Sequence, residues 1–152
     1  MKTLAVAADR LSIASRITAL RPDSPRLWGK MSAHQMMCHL NDSFLGPLGE
    51  RRMSTAPTLL PRVVMKWGAL YFPFPWPKGV PTRPEVEQGA GGTPPSDFER
   101  DRADLLITLQ RFSDSRHSFE GAPHPIFGQM TDAEWLRWGF LHADHHLRQF
   151  GL

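Results

Sequence analysis

The chain has 152 residues, which is enough for one hydrophobic core and short for two domains. A hydrophobic content of 41% with 22% charged residues is typical of a globular protein and excludes an intrinsically disordered one. The formal net charge is only +3 and the basic residues are scattered, so the composition argues against a nucleic-acid partner. We therefore expect one folded domain that spans residues 1–152.

The sequence offers no segment suited to entering a membrane. The apolar stretch 4–8 is too short for the core of a signal peptide, and the apolar region 63–76 is interrupted by Lys66, Pro73 and Pro75. Cys38 is the single cysteine, which excludes an intrachain disulfide and a cysteine-based zinc motif. A lone thiol is typical of a reducing compartment. These features predict a soluble cytoplasmic protein.

Four helices are predicted in chain order. The first lies near the N-terminus, where Ile13, Ile17 and Leu20 recur at helical spacing and Pro22 follows. The other three are predicted to begin at capping boxes, in which a Ser or Thr stands three residues before a Glu or Gln. The three boxes are Ser32–Gln35, Ser96–Glu99 and Thr131–Glu134. No segment of the sequence shows strand-like alternation with hairpin turns, so we predict an all-α fold, a four-helix bundle.

A long connection separates the second and third of these helices, at about residues 49–95. Pro61 could begin a short apolar helix over residues 62–72, and residues 73–95 are rich in proline and glycine. A connection of this length can carry the chain back along the bundle, which predicts an up-down-down-up order. The loop 73–95 is either a strap over the bundle or a lid over a substrate. The aromatic side chains of the long connection must be buried in the core or at a partner interface; they are Tyr71, Phe72, Phe74 and Trp76.

The last predicted helix carries three of the seven histidines, at positions 142, 145 and 146. On a helical wheel, His142 and His146 lie about 40° apart at the centre of the apolar face, and His145 lies at its flank. Two adjacent imidazoles in a core need polar partners, and their protonated forms would repel each other. A divalent cation meets both needs, because histidines one turn apart can offer nitrogens to the same ion. We interpret the pair as part of a metal site, with hydrogen bonds to carbonyls or water as the alternative.

A third ligand is needed, and the candidates are His34, His39, His117 and His124. At a rise of about 1.5 Å per residue, antiparallel packing puts His39 of the second helix at a height similar to that of the pair. On its own wheel, however, His39 lies about 120° from the centre of the apolar stripe, and His34 lies about 100° away on the other side. Periodicity alone leaves the third ligand open.

Four motifs together resemble the DinB/YfiT-like superfamily, and within it a branch of small bacterial proteins. The motifs are WGKMSAHQMMCHLNDSF, PFPWPKGVPT, HPIFGQM and the terminal HADHHLRQFGL, and the resemblance extends from about residue 8 to the C-terminus. It implies a four-helix bundle with a long link between helices two and three, and a homodimer. It also implies a divalent metal, nickel or zinc in several members, held by one histidine of the second helix and a His-x3-His of the last. Carried to this sequence, the metal ligands are His39, His142 and His146, while His34 would lie at the surface or beside the ligands.

Three neutral ligands leave a coordination position open, as in catalytic zinc sites. Members of the superfamily include transferases and isomerases that use low-molecular-weight bacterial thiols, and others are described as metal-dependent hydrolases. The resemblance therefore implies a metal-dependent enzyme of the thiol-transferase or hydrolase type, acting on a small molecule that the sequence does not identify. The alternative is a non-enzymatic stress-related or interaction protein, whose metal is structural or absent and whose aromatic connection forms a dimer interface.

Four further residues have open roles. His124 and His145 either line the pocket or serve structural or surface roles. Asp42, three residues after His39, either orients a ligand or lies on a solvated helix face, and we favour the solvated face. Cys38 has no evident cation nearby to stabilise a thiolate, apart from histidines, which predicts an inert, partly buried thiol.

Overall fold

The protein is described by a computed structural model over residues 1–55, 61–72, 74–114, 118–119 and 122–152, which contain five α-helices. They are α1 (Ala7–Ala19), α2 (Ala33–Leu45), α3 (Arg62–Tyr71), α4 (Phe98–Phe112) and α5 (Asp132–Leu147). Short 3-10 turns lie at Pro84–Val86 and Arg148–Phe150. The described residues contain no strand, and none of their helices is long and apolar enough to cross a membrane. The all-α prediction is confirmed, and α3 is the short helix expected after Pro61.

Capping boxes begin the two helices that carry the histidine pair and its partner. The hydroxyl of Ser32 accepts a hydrogen bond from the backbone N–H of Gln35, whose side chain accepts from the backbone N–H of Ser32. Thr131 and Glu134 make the same reciprocal pair at the start of α5. Both boxes satisfy N–H groups that the first helical turn leaves without partners. The sequence therefore located these two helix starts correctly.

The box predicted at Ser96 is wrong. Asp97 caps α4 instead, because its carboxylate accepts a hydrogen bond from the backbone N–H of Arg100. A carboxylate is favoured at the positive end of a helix, so it wins over a hydroxyl one residue earlier. Ser96 donates through its backbone N–H and its hydroxyl to the carboxylate of Asp101. The start of α4 thus moves by one residue and Ser96 serves a different acceptor.

A cluster of aromatic rings joins α2, α4 and α5. The Phe44 ring centroid lies 4.8 Å from that of Phe112 and 6.3 Å from that of Trp138, and the last two rings are 6.3 Å apart. These rings are all buried, and edge-to-face and tilted contacts of this kind add to the energy of apolar burial. The cluster fixes the spacing between α2 and α5, the two helices that carry the candidate ligands.

Gly139 allows α5 to approach the rest of the core closely. A Cβ atom at this position would lie 2.7 Å from Cε1 of Phe112 and 2.8 Å from Cδ1 of Leu4. We expect Gly139→Ala to lower the free energy of unfolding by about 1–3 kcal/mol through overpacking, as measured by urea denaturation. Gly68→Ala in α3 is the control, because nothing lies within 4 Å of its Cβ position and alanine favours the helix by up to about 1 kcal/mol. Equal effects of the two changes would contradict the overpacking argument.

The aromatic residues at the end of α3 and directly after it are only partly buried. Trp76 packs against the core, and its indole N–H donates to a backbone carbonyl of α3. Tyr71, Phe72 and Phe74 are exposed at 44%, 44% and 70%. Of these four aromatic residues, therefore, only Trp76 packs on the core, which was one of the two expected outcomes. Pro73, the first residue of the loop 73–95, lies outside the described residues.

Candidate metal centre

His39 of α2 and His142 and His146 of α5 turn their Nε2 atoms toward one point. Nε2 of His142 lies 3.2 Å from Nε2 of His39 and 3.0 Å from Nε2 of His146. The candidate ligand atoms of all three side chains lie within 4.8 Å of one another. Two nitrogens bound 2.0–2.1 Å from one ion at a tetrahedral angle would be about 3.3 Å apart. The spacing of the two close pairs is thus near that of a metal centre.

Hydrogen bonds behind two of these rings determine which nitrogen carries the proton. Nδ1 of His39 lies 2.9 Å from the carbonyl oxygen of Val86, and Nδ1 of His146 lies 2.8 Å from Oε1 of Gln149. Because these oxygens can only accept, both Nδ1 atoms donate, and the neutral rings present lone pairs at Nε2. Metal-binding histidines have the same arrangement, with the second nitrogen donating to an oxygen that orients the ring.

The His142 ring differs from the other two, because no oxygen acceptor orients it among the described residues. Its Nδ1 atom is buried and has no hydrogen-bond partner among the described residues. Its Nε2 atom faces the lone pairs of both other rings, and a single N–H there cannot serve both acceptors well. A divalent cation would bind all three lone pairs at once. The donor set of the site therefore fits a cation better than it fits a shared proton.

Burial lowers the pKa of all three histidines. For His39, desolvation outweighs the Val86 carbonyl and the Asp42 carboxylate, which favour the protonated ring. For His142 and His146, desolvation and repulsion from neighbouring histidines hold the pKa well below the ordinary value of 6.5. Since the neutral imidazole is the form that binds metal, the three ligands are in the binding form at neutral pH.

Asp42 is fully buried, so the expectation of a solvated helix face is wrong. Its carboxylate accepts hydrogen bonds from the backbone N–H and the hydroxyl of Thr93, each at 2.7 Å, and pairs with Arg51 at 2.7 Å. Arg51 also donates to two backbone carbonyls within residues 85–91. This network ties the long connection to α2 directly beside His39, and it covers the face that the sequence left open to solvent.

Replacing Asp42 by Asn is expected to lower the free energy of unfolding by about 3–5 kcal/mol, because it breaks a buried ion pair and leaves Arg51 uncompensated. Zinc affinity should fall by about 10–100-fold, since the same network holds the carbonyl that orients His39. Urea denaturation and competition with a chromophoric chelator measure the two effects. Asp104→Asn, the same change at an exposed position of α4, is the control and should alter neither. Similar losses in both variants would contradict this role of Asp42.

The three histidines lie on the wall of a cleft with a volume of about 1120 Å³. Its lining is mostly apolar and aromatic, and it includes Trp76, Phe127 and Trp138. Glu87 is the single acidic side chain among the described residues that line it. The part of the connection at 74–88 supplies much of this wall. The connection therefore both covers α2 and bounds the space in front of the histidines.

His124 and His145 also line the cleft, outside the group of three. The His145 ring packs between two indoles, with centroids 4.8 Å from Trp28 and 5.9 Å from Trp76. The buried His124 ring stacks on Phe127 with centroids 4.3 Å apart. His117, another candidate for the third ligand, lies outside the described residues.

A second group of candidate ligands is better explained as a hydrogen-bond network. His34, Cys38 and Asp101 have ligand atoms within 4.8 Å of one another. Nε2 of His34 lies 2.7 Å from Oδ2 of Asp101, which is a hydrogen-bond distance and short for two ligands of one ion. Burial, with repulsion from the Asp101 carboxylate, raises the pKa of Cys38 to about 12, so the thiol stays protonated. This agrees with the inert thiol expected from the sequence.

The sequence did not reveal the two acceptors behind the ligands. Gln149 follows His146 by three residues, so helical spacing was a signal that could have identified it. Val86 is 47 residues from His39 along the chain and acts through its backbone oxygen, which no side-chain pattern can indicate.

A family model described as "Protein of unknown function (DUF1569)" matches residues 6–151. No curated protein and no solved structure matches the chain. The matched region contains all three histidines and the described residues that line the cleft. The chain therefore belongs to the DUF1569 family.

Proposed function

We propose that this protein binds a divalent metal ion through His39, His142 and His146 and acts as a metal-dependent enzyme on a small molecule held in the cleft. The observation that supports this most directly is the convergence of three Nε2 atoms at the wall of a large, mostly apolar cleft. Structural zinc sites use four protein ligands, whereas catalytic sites use three and keep one position for water or substrate. Imidazole ligands suit zinc and nickel, the two ions we propose.

We also propose that α1, α2, α4 and α5 form the up-down-down-up bundle of the DinB/YfiT-like superfamily, with the segment between α2 and α4 as the long Pro/Gly-rich link. The packing of α2 on α4, and of α5 on α1 and α2, supports this arrangement. The pairing of a histidine from α2 with a His-x3-His from α5 supports it independently. The single buried thiol agrees with a cytoplasmic location.

The chain's own residues prepare the site for chemistry. A bound divalent ion supplies Lewis acidity and lowers the pKa of a water or thiol that it binds. The rings of Trp138 and Trp76, with centroids 4.7 Å and 6.1 Å from that of His142, limit the access of water from one side. Cys38, the single cysteine, is protonated and is not among the lining residues, so a reaction that uses a thiol would take it from a low-molecular-weight cofactor. A three-histidine site with an open position is compatible with both reaction types that we propose, thiol transfer and hydrolysis.

Metal analysis of protein made without a histidine tag tests the proposal. After incubation with zinc or nickel and gel filtration, we expect one ion per chain by elemental analysis. The metal-loaded protein is then assayed for turnover of bacterial thiols with electrophilic acceptors and for hydrolysis of esters and amides. We expect any turnover to be lost when a chelator removes the metal. Failure to retain either metal would contradict the metal site, and retained metal without turnover would contradict the enzymatic part.

The second candidate function is a non-enzymatic interaction protein, and the exposed aromatic surface at α3 favours it. Trp67, Phe72 and Phe74 are exposed at 57%, 44% and 70% and form ring contacts with one another. A surface of this kind fits a homodimer interface. Sedimentation analysis measures the oligomeric state, and chelation separates the two functions. A structural metal should lower the melting temperature sharply when it is removed, whereas a metal in a preformed catalytic site should leave the fold intact.

A further inference from the structure

We propose that His124 is a fixed hydrogen-bond donor of the cleft, which donates through Nε2 to a carbonyl or carboxylate oxygen of an aromatic small molecule bound there. This deepens the proposed function, on which it rests for the identity of the cleft as the substrate site. It assigns a positioning role to a residue outside the group of three histidines, and it names the chemical class of the ligand.

The turn that carries His124 determines its tautomer. Nδ1 of His124 accepts hydrogen bonds from the backbone N–H groups of Ile126 and Phe127, each at 3.1 Å. A backbone N–H only donates, so Nδ1 carries the lone pair and the proton of the neutral ring is on Nε2. Reciprocal backbone bonds of 2.8 and 2.9 Å between His124 and Gly128 close the turn, and Gly128 adopts a φ of 72° that favours glycine. The ring is therefore held in both position and protonation.

The ring cannot easily change this state. Desolvation, together with the guanidinium of Arg62, lowers the pKa of His124 to about 3. Protonation at Nδ1 would also remove the acceptor for two backbone N–H groups. At neutral pH His124 is accordingly an uncharged donor, and it is neither a general base nor a cation.

His124 lies one indole away from the candidate metal centre. Its ring centroid is 5.2 Å from that of Trp138, which is 4.7 Å from that of His142 on its other side. His124 is only 6% exposed and lines the cleft, and no acceptor for its Nε2–H is found among the described residues. The buried indole N–H of Trp135, in the neighbouring ring 5.4 Å away, likewise has no acceptor among them. The Trp135 N–H is fully buried, whereas His124 lines the cleft, so its unpaired Nε2–H favours a ligand that brings an oxygen.

The remaining lining indicates the rest of that ligand. The rings of Phe127, Trp135 and Trp138 surround His124 and line the same cleft, and such an aromatic lining suits an aromatic ligand. The described lining carries three basic side chains, those of Lys30, Arg51 and Arg83, against the single carboxylate of Glu87, so its charge favours an anionic over a cationic ligand. An aromatic carbonyl compound or carboxylate would accept the hydrogen bond from His124, pack against the aromatic lining and suit its charge.

Two substitutions separate the donor from the support of the turn. In His124→Asn, the side-chain oxygen can replace Nδ1 and accept from the N–H groups of Ile126 and Phe127, as in an Asx turn, but no group reaches the position of Nε2. In His124→Gln, the longer amide can bring an N–H to the position of Nε2 and does not replace the Nδ1 acceptor. The first variant loses the donor with the turn kept, and the second keeps the donor.

Benzoate is the probe, titrated into zinc-loaded and zinc-free protein and followed by the fluorescence of the cleft tryptophans. We expect His124→Asn to weaken benzoate binding by about tenfold or more, because a hydrogen bond to a charged acceptor is lost. His124→Gln should restore most of the affinity, and zinc content should be unchanged in both variants. Wild-type affinity for benzoate in His124→Asn, or no benzoate binding to the wild type, would overturn the proposal. If the wild type binds no zinc, the proposed function fails, while benzoate binding to zinc-free protein still decides the role of His124.

The tautomer can be tested without relying on the variants to fold. Nitrogen-15 NMR of histidine-labelled wild type at pH 6–8 should show His124 as the Nε2–H form at every pH. Addition of benzoate should shift this N–H resonance. An Nδ1–H tautomer, or a resonance unaffected by saturating benzoate, would overturn the assignment of His124 as the donor.

Discussion

Replacing His142 by Ala is expected to abolish stoichiometric binding of zinc or nickel, while His145→Ala leaves one ion per chain. The Nε2 atom of His142 lies 3.2 Å from that of His39 and 3.0 Å from that of His146, so it is close to both other ligands. Its loss leaves two nitrogens on separate helices, which is too few for a stable protein site. Elemental analysis after gel filtration, with isothermal titration of metal into metal-free protein, measures the difference.

His145→Ala is a matched control because it removes an imidazole from the same helix, one residue from His146. The His145 ring faces Trp28 and Trp76, and it is absent from the group whose ligand atoms converge. Circular dichroism of both metal-free variants verifies that the helices remain. Stoichiometric metal in His142→Ala, or equal loss of metal in both variants, would contradict the assignment of the ligands.

Lowering the pH from 7 to 5 is expected to destabilise the metal-free protein strongly. The pKa of each of four buried histidines is below its ordinary value of 6.5; they are His39, His124, His142 and His146. In the unfolded chain these side chains take up protons as the pH falls below 6.5, whereas in the folded chain burial shifts their protonation to lower pH. Stability is therefore fully present above pH 6.5 and is lost below it, by about 2 kcal/mol at pH 5 for a histidine that remains neutral when folded. For His124 the loss continues to about pH 3.

The carboxylates do not produce this effect in the same range of pH. Asp101 and Glu134 have lowered pKa values, so their contribution to stability is lost only near and below their ordinary values of 3.8 and 4.5. Urea denaturation of metal-free protein at pH 7, 6 and 5 should thus report mainly on histidines. His124→Asn should make the dependence shallower, because one titrating group is removed. A free energy of unfolding that is constant between pH 7 and 5 would contradict the burial of neutral histidines.

Several features of the site followed from local sequence alone. The inward direction of His142 and His146 depends only on their spacing of four residues within an apolar helix, and the structure places their Nε2 atoms 3.0 Å apart. The helix starts at Ser32 and Thr131 could also be predicted from a few adjacent residues, because a capping box satisfies its own backbone N–H groups. The Ser96 box failed for a local reason too, since Asp97 beside it is the better acceptor at a helix N-terminus.

The third ligand was not a local property. The helical wheel put His39 well away from the apolar stripe of α2, yet His39 is 5% exposed and Asp42 is fully buried. Both are covered by the long connection, in which Arg51 and Thr93 bind the Asp42 carboxylate of α2. A wheel registers only the apolar face of a helix and cannot show that a distant polar segment will bury a second face. The resemblance to a known superfamily, rather than periodicity, selected His39.

By itself, therefore, the sequence determined the all-α class, the starts of α2 and α5 and the histidine pair, because each depends on contacts within one or two turns of helix. Only the tertiary structure decided which histidine joins the pair, why Asp42 is buried and which nitrogen of His124 carries its proton. Those features depend on backbone carbonyl and N–H groups and on segments far apart along the chain, such as His142 beside His39, 103 residues away, and Thr93 on Asp42, 51 residues away. Backbone groups are the same in every residue, so their partners are specified only by the folded chain.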